Sequence, residues 1–213
     1  MDFFKNSDRV ENSKESDVNT LFPVFLKLDQ LQTLLVGAGA IGFEKLSSLL
    51  NNSPNANISI VAPDILNAIR AMVKDRSNCI IHEREFEDKD LDGKHFVICA
   101  TGNKRLNEYV KNKAAKKNII VNVADTPALC DAYLGSIVQK GNLKIAISTN
   151  GKSPTIAKRL KEQLHDMIPA EIDELLDNMQ WIRNDLSGDF AAKVKRLNEI
   201  TKELISEKLK DND

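Results

Sequence analysis

A chain of 213 residues with 42% hydrophobic and 29% charged side chains is long enough for one substantial core with an appended element, and polar enough to stay in water. Its 30 basic and 31 acidic residues leave a net charge of −1, which gives no general electrostatic case for nucleic acid, so any anionic ligand has to be met by local charge. No run approaches the roughly 18 apolar residues of a membrane helix, and Met1-Asp2-Phe3-Phe4-Lys5 leads into polar sequence, not a secretion signal; the cytoplasm is the expected location, with no membrane or nucleic-acid partner.

In chain order, residues 5–20 are almost wholly polar, so residues 1–20 read as a loose leader with order beginning near Leu21. The apolar run Thr33–Val36 then reads as a strand and Ala40–Leu50 as a helix, with Gly37, Gly39 and Gly42 at their junction. At such a junction Gly37 permits a tight turn, Gly39 lets the backbone approach phosphates and Gly42 lets the helix pack closely on its strand. The backbone N–H groups of Ala40 and Ile41 would meet a pyrophosphate there, which makes NAD the expected cofactor. A second strand, Ile58–Val61, precedes a helix over 65–75 with Ile65, Leu66, Ile69, Met72 and Val73 on one face. Asp64 stands between them, about 20 residues past the glycine turn, where a carboxylate can accept from ribose hydroxyls and favour NAD over NADP. Capping the helix that follows is an equally open role for it.

The third strand is predicted at Cys79–His82, followed by an acidic loop Glu83–Asp92, a strand His95–Ala100, a helix from about Lys104 to Lys117 and a strand Ile119–Val123. This alternation predicts an α/β fold, a Rossmann doubly wound parallel sheet over 21–127. Tyr109 and Lys113 have the Tyr-x-x-x-Lys spacing of a proton-moving pair, but their lysine-rich helix reads as a solvated cationic face. His82, His95 and His165 lack ligand spacing, as do Cys79, Cys99 and Cys130, so no resident metal is expected and the thiols read as reduced core residues. Asp125, just after the fifth strand, lies at the carboxyl edge where ligands bind in open α/β sheets; it is either a base or the cap of a turn before Pro127.

Past Pro127 the pattern changes. Ser136–Lys140 and 143–148 read as two strands around Lys140-Gly141-Asn142. A pair of apolar strands is too small a sheet to stand alone, so residues 128–152 need a partner in the same chain or a second copy. Ser153-Pro154 is an N-cap with proline at the first helical position, opening a helix to about Met167 and a helical region over 153–213. Pro169 starts a second helix, and Ser187-Gly188 separates it from a last one bearing Phe190, Val194, Leu197 and Leu204. The 153 helix turns its N-terminus and the basic Lys152, Lys158, Arg159 and Lys161 toward whatever lies in front of it, a setting for an acidic ligand.

Leu21-Phe-Pro-Val-Phe-Leu-Lys-Leu28, the glycine turn, Ile60-Val-Ala-Pro-Asp64, Cys99-Ala-Thr101 with Asn107, Asn122-Val-Ala-Asp125 and Ala146-Ile-Ser-Thr-Asn-Gly-Lys-Ser-Pro154, taken in order, resemble the siroheme synthase family over roughly residues 21–170. The match is to its NAD-dependent precorrin-2 dehydrogenase module. The resemblance implies a Rossmann domain, a small dimerisation region and a helical domain in an intertwined homodimer that oxidises precorrin-2 to sirohydrochlorin with NAD. In some members the same module inserts ferrous iron, which is then a substrate of chelation. It also implies cofactor contacts at Ala40, Ile41, Pro63, Asp64 and Thr101, and a catalytic carboxylate at Asp125. The carboxylates of the tetrapyrrole would suit Lys152, Ser153, Lys158 and Arg159. These 213 residues do not hold the methyltransferase half of the fused enzymes, so precorrin-2 is expected from another protein. Thr149 replaces a serine that is phosphorylated in fused members, so regulation by that route is not expected. A non-catalytic NAD-sensing regulatory domain is the alternative, since the fold alone decides no activity; such a domain would need neither Asp125 nor the basic helix.

Overall fold

Five short apolar runs build one parallel sheet in the computed structural model, which describes residues 18–185 and 190–206. They are β1 (Gln32–Val36), β2 (Asn57–Ala62), β3 (Cys79–Glu83), β4 (Phe96–Cys99) and β5 (Ile120–Val123), in the order β3-β2-β1-β4-β5. Chain reversal between β3 and β4 leaves β1 at the centre, with Leu35 paired to Ile60 and Ile98, and Val36 to Val61 and Cys99. Helices cover both faces, which is why the strands are continuous apolar runs and not alternating ones. Leu35, Ile58, Ile60, Phe96 and Ile98 pack under α1 (Ala40–Asn52) and α2 (Asn67–Val73), while Leu34, Val36, Val97 and Val121 pack under α3 (Lys104–Ala115). Each such side chain taken out of water stabilises the fold by about 1.5–3 kcal/mol.

The 65–75 helix is shorter than its periodicity predicts. Leu66 has ψ 133° and gives its N–H to the Ala38 carbonyl at 3.1 Å, so this residue is spent bracing the glycine turn and α2 begins at Asn67. The acidic loop holds a short 3-10 turn, Asp88–Leu91, unforeseen in the sequence. Arg84 grips both oxygens of Asp90 at 2.8 and 2.6 Å, Glu87 and Asp90 cap the turn reciprocally, and Leu91 beneath them is fully buried. Of the three thiols Cys99 is fully buried, and the half-buried Cys79 and Cys130 pack against the edges of the core.

Strands β6 (Ser136–Lys140) and β7 (Leu143–Ile147) form a separate antiparallel pair joined by Gly141-Asn142, with Gly141 at φ +52° as a tight two-residue hairpin requires. One face of the pair finds its partner in the same chain: α4 (Pro154–Met167) packs on β6 and buries Val138. Ser153 caps α4 as expected, its hydroxyl accepting the Ile156 N–H at 3.2 Å. At the hairpin tip, Asp173 of α5 (Ile172–Asp185) accepts the backbone and side-chain N–H groups of Asn142 at 2.7 and 2.9 Å. Lys144 reaches the Asn52 carbonyl at the end of α1, joining this unit to the Rossmann sheet. The last helix, α6 (Phe190–Ser206), touches α5. The expected break at Ser187-Gly188 and residues 1–17 of the expected leader lie outside the described residues. No helix among the described residues is long and apolar enough to cross a membrane.

Candidate active site

Parallel strands all deliver their carboxyl ends to one edge, and at the switch between β1 and β4 that edge opens into a cavity of about 720 Å³. The glycine turn forms its floor. Gly37 sits at φ +100°, and a Cβ there would lie 2.6 Å from the carbonyl oxygen of Ala100, just past β4, so neither the backbone angle nor the space admits a side chain. A Cβ on Gly42 would overlap the Gly37 carbonyl, which is how close α1 comes to the turn. Gly39 differs: a Cβ there would meet no protein atom within 4 Å and would project into open space. That emptiness in front of the backbone, at a residue lining the cavity, is room for a ligand. Gly39 caps α1 without a side-chain hydrogen bond, and the first turn has no acidic residue, so the helix presents bare N–H groups and positive dipole to that space. A dinucleotide pyrophosphate fits this cradle.

The opposite wall comes from β4. The Thr101 hydroxyl donates to Asn107 Oδ1 at 2.6 Å and accepts from the Asn103 N–H at 3.2 Å, and the Asn107 amide returns a bond to the Thr101 carbonyl at 3.1 Å. Asn103 also caps α3 through the Leu106 N–H. The turn after β4 is therefore held by side chains at the position where it faces the cofactor space. Pro63 and Asp64 line the cavity beyond β2, together with Glu85 and Phe86 from the acidic loop. Asp64 is exposed and accepts no hydrogen bond among the described residues. With Leu66 standing at the N-cap of α2, the capping role left open for Asp64 is excluded. Sequence reasoning missed Glu85 and Phe86, because what brings them to the cavity is the Arg84–Asp90 staple, a tertiary contact with no periodicity to announce it.

Asp125 stands one strand further along the same edge. The Ala124 N–H donates to the Cys99 carbonyl at 2.9 Å, continuing the β4–β5 ladder past its last registered pair, Cys99 and Val123. Asp125 follows directly, exposed and at φ +56°. Its carboxylate accepts no hydrogen bond among the described residues, so it does not cap the turn before Pro127. A non-glycine residue in the left-handed region costs about 1 kcal/mol, least for Asp and Asn, and such residues gather at functional sites.

The basic cluster is elsewhere. Lys152, Lys158 and Arg159 are exposed on the hairpin–helix unit, and neither they nor Ser153 line the cavity. Tyr109 and Lys113 both bind Asp88, at 2.8 and 2.5 Å, which ties α3 to the 3-10 turn; they are anchored there and not merely solvated. His95 accepts the Gln32 N–H on Nδ1 at 3.0 Å, a structural role. Burial pushes the Cys99 thiol up to about 12, so it stays protonated and inert.

This fold and cradle define a Rossmann-type dinucleotide-binding protein. Residues 24–136 match the family described as putative NAD(P)-binding, and the chain belongs to it. Residues 140–167, from the hairpin through α4, match the family described as sirohaem biosynthesis protein central. Siroheme synthase of Psychrobacter cryohalolentis is 34% identical over 176 residues, 83% of this chain and 32% of that protein. Siroheme synthase of Pseudoalteromonas atlantica is 32% identical over 175 residues, 82% of this chain and 37% of that protein. The chain thus spans about a third of the length of these relatives. A solved structure of SirC, precorrin-2 dehydrogenase, superposes with a TM-score of 0.68 at 25% identity, covering 84% of this chain and 89% of that one.

Proposed function

We propose that this protein oxidises precorrin-2 to sirohydrochlorin with NAD, in siroheme biosynthesis. The observation that carries the reading is the juxtaposition, on one sheet edge, of a cradle fitted to a dinucleotide and a left-handed, unbonded carboxylate on the neighbouring strand end. The solved neighbour is itself named a precorrin-2 dehydrogenase, and both relatives are siroheme synthases.

NAD, when bound, supplies the acceptor for the hydride that leaves a saturated ring-bridging carbon. The residues of the chain do the rest. Bare N–H groups at Ala40 and Ile41 hold the pyrophosphate, Gly39 leaves room for it, and Pro63 and Asp64 meet the adenosine ribose. Thr101 shapes the wall nearest the reacting end. Asp125 takes the proton that leaves the macrocycle, and the same carboxylate can collect pyrrole protons if ferrous iron is inserted afterwards. Lys152, Lys158 and Arg159, with Ser153 at the α4 N-terminus, engage the carboxylates of the tetrapyrrole.

In this reading residues 21–127 hold the cofactor, 128–152 dimerise and 153–213 form the helical domain. A homodimer is supported by apolar surface that one chain leaves in water: Phe22 at 87% exposure, Phe25 at 69%, Met167 at 69% and Trp181 at 68%. A second copy would cover it, and could bring its basic cluster to the Asp125 edge. Three free thiols suit a reducing compartment, the cytoplasm.

The test is incubation of the purified chain with enzymatically made precorrin-2 and NAD, with the absorption spectrum read for sirohydrochlorin. NAD binding without any conversion would return the protein to the regulatory reading.

A further inference from the structure

Cys130 has no part in the function argued so far, yet its sulfur sits at the centre of the loop that carries Asp125. The thiol donates between the Val123 carbonyl at 3.2 Å and the Thr126 carbonyl at 3.5 Å. The sulfur accepts the Val123 N–H at 3.2 Å and the Asn122 amide at 3.7 Å. These groups bracket Asp125 on both sides. We propose that Cys130 is a positioning residue for Asp125, its thiol holding the left-handed turn that presents the carboxylate at the sheet edge. The proposal rests on the reading of Asp125 as the base.

Two comparisons support it. The four residues around Asp125 hold each other weakly, since the Thr126 N–H reaches the Val123 carbonyl only at 3.4 Å and the Thr126 hydroxyl reaches the Ala124 carbonyl only at 3.4 Å, both near the limit of a useful bond. The 3-10 turn that follows, Pro127–Leu129, is by contrast closed by the Leu129 N–H to the Thr126 carbonyl and the Cys130 N–H to the Pro127 carbonyl, both at 3.0 Å, and so fixes the sulfur. The returning limb of the loop is anchored independently of the sulfur. Asp131 accepts the Val121 N–H at 3.0 Å and the Lys111 amine at 2.5 Å, its own N–H donates to Val121 at 2.8 Å, and Asn122 donates to the Ala132 carbonyl at 2.9 Å. Removing the thiol should therefore leave the fold standing and slacken the turn alone. Burial raises the pKa of Cys130, so at neutral pH the sulfur keeps the proton it donates.

Cys130→Val and Cys130→Ser separate positioning from packing. Valine fills the space without bonding, whereas serine bonds but fills less. With saturating NAD and precorrin-2, Cys130→Val should lose at least about tenfold in single-turnover rate, as small misplacements of a reacting group do, with NAD affinity and KM for precorrin-2 within about twofold. Cys130→Ser should recover most of the rate, and amide exchange at Thr126 should quicken in the valine variant only. In an Asp125→Asn background Cys130→Val should add no further loss, because it acts through the missing carboxylate. Wild-type turnover in Cys130→Val, a serine variant as slow as the valine one, an additional loss in the double variant, or unchanged exchange at Thr126 in Cys130→Val would each overturn the proposal. Wild-type turnover in Asp125→Asn would instead overturn the assignment of the base, while the exchange measurement still reads the hold of the thiol on the turn.

Discussion

Gly37, Gly39 and Gly42 share one motif but are glycine for different reasons, and the difference can be measured. Gly37→Ala must force φ +100° and a contact of 2.6 Å with Ala100, at a cost of about 2–4 kcal/mol in stability. Gly39→Ala meets no protein atom; it should melt within a degree or two of wild type and bind NAD at least about tenfold more weakly, since its methyl fills the space for the pyrophosphate. Thermal melting and cofactor titration of both variants check this, and a Gly39→Ala protein with normal affinity would mean that the phosphates bind elsewhere. Asp64 should make NAD bind more tightly than NADP, because it repels a 2′-phosphate, and Asp64→Ala should weaken NAD by about 1–2 kcal/mol as a charged hydrogen bond is lost. Equal affinity for the two cofactors would remove Asp64 from the ribose. Asp125→Asn preserves shape and tolerates the left-handed backbone, so folding and NAD affinity should hold while turnover falls about 10²–10⁴-fold, the usual loss of a general base. Single-turnover kinetics beside melting temperature decide whether the loss is chemical.

Among the elements, those with strong periodicity were legible from sequence and those fixed by tertiary contacts were not. β1, α1, the hairpin and the Ser153 cap fall where their residues place them, to within a residue or two. α2 lost its first two residues because the Leu66 N–H is used by the Ala38 carbonyl, and nothing in the local pattern encodes that. The site divides in the same way. Gly37, Gly39 and Asp64 could be read from spacing, whereas Phe86 arrives at the cavity through Arg84 and Asp90, and the role of Cys130 depends on carbonyls seven and four residues away. The Arg84–Asp90 staple has a pH signature. The Arg84 hydrogen bond holds the Asp90 carboxyl below its ordinary 3.8, so its stabilisation is present above that value and lost as pH falls through the depressed native value. Asp90→Asn should therefore lower the melting temperature at neutral pH, and its deficit should shrink on acidification below about pH 4. A deficit that is constant down to pH 2 would show that the ion pair contributes nothing to the loop.

For the whole molecule, the exposed Phe22, Phe25, Met167 and Trp181 are the apolar surface on which the proposed homodimer is tested. Light scattering at micromolar concentration should give twice the 23.8 kDa of one chain; a monomer would leave the open face of the hairpin unexplained. Global stability, by contrast, is nearly indifferent to the left-handed residue at the end of β5. Glycine at position 125 would release about 1 kcal/mol of backbone strain, yet it would enlarge the conformational freedom of the unfolded chain by a similar amount. The two nearly cancel. A library of variants selected for folding alone would therefore drift among glycine, asparagine and aspartate at this position, and a carboxylate that persisted there under selection for growth, where two other residues fold as well, would be a record of chemistry.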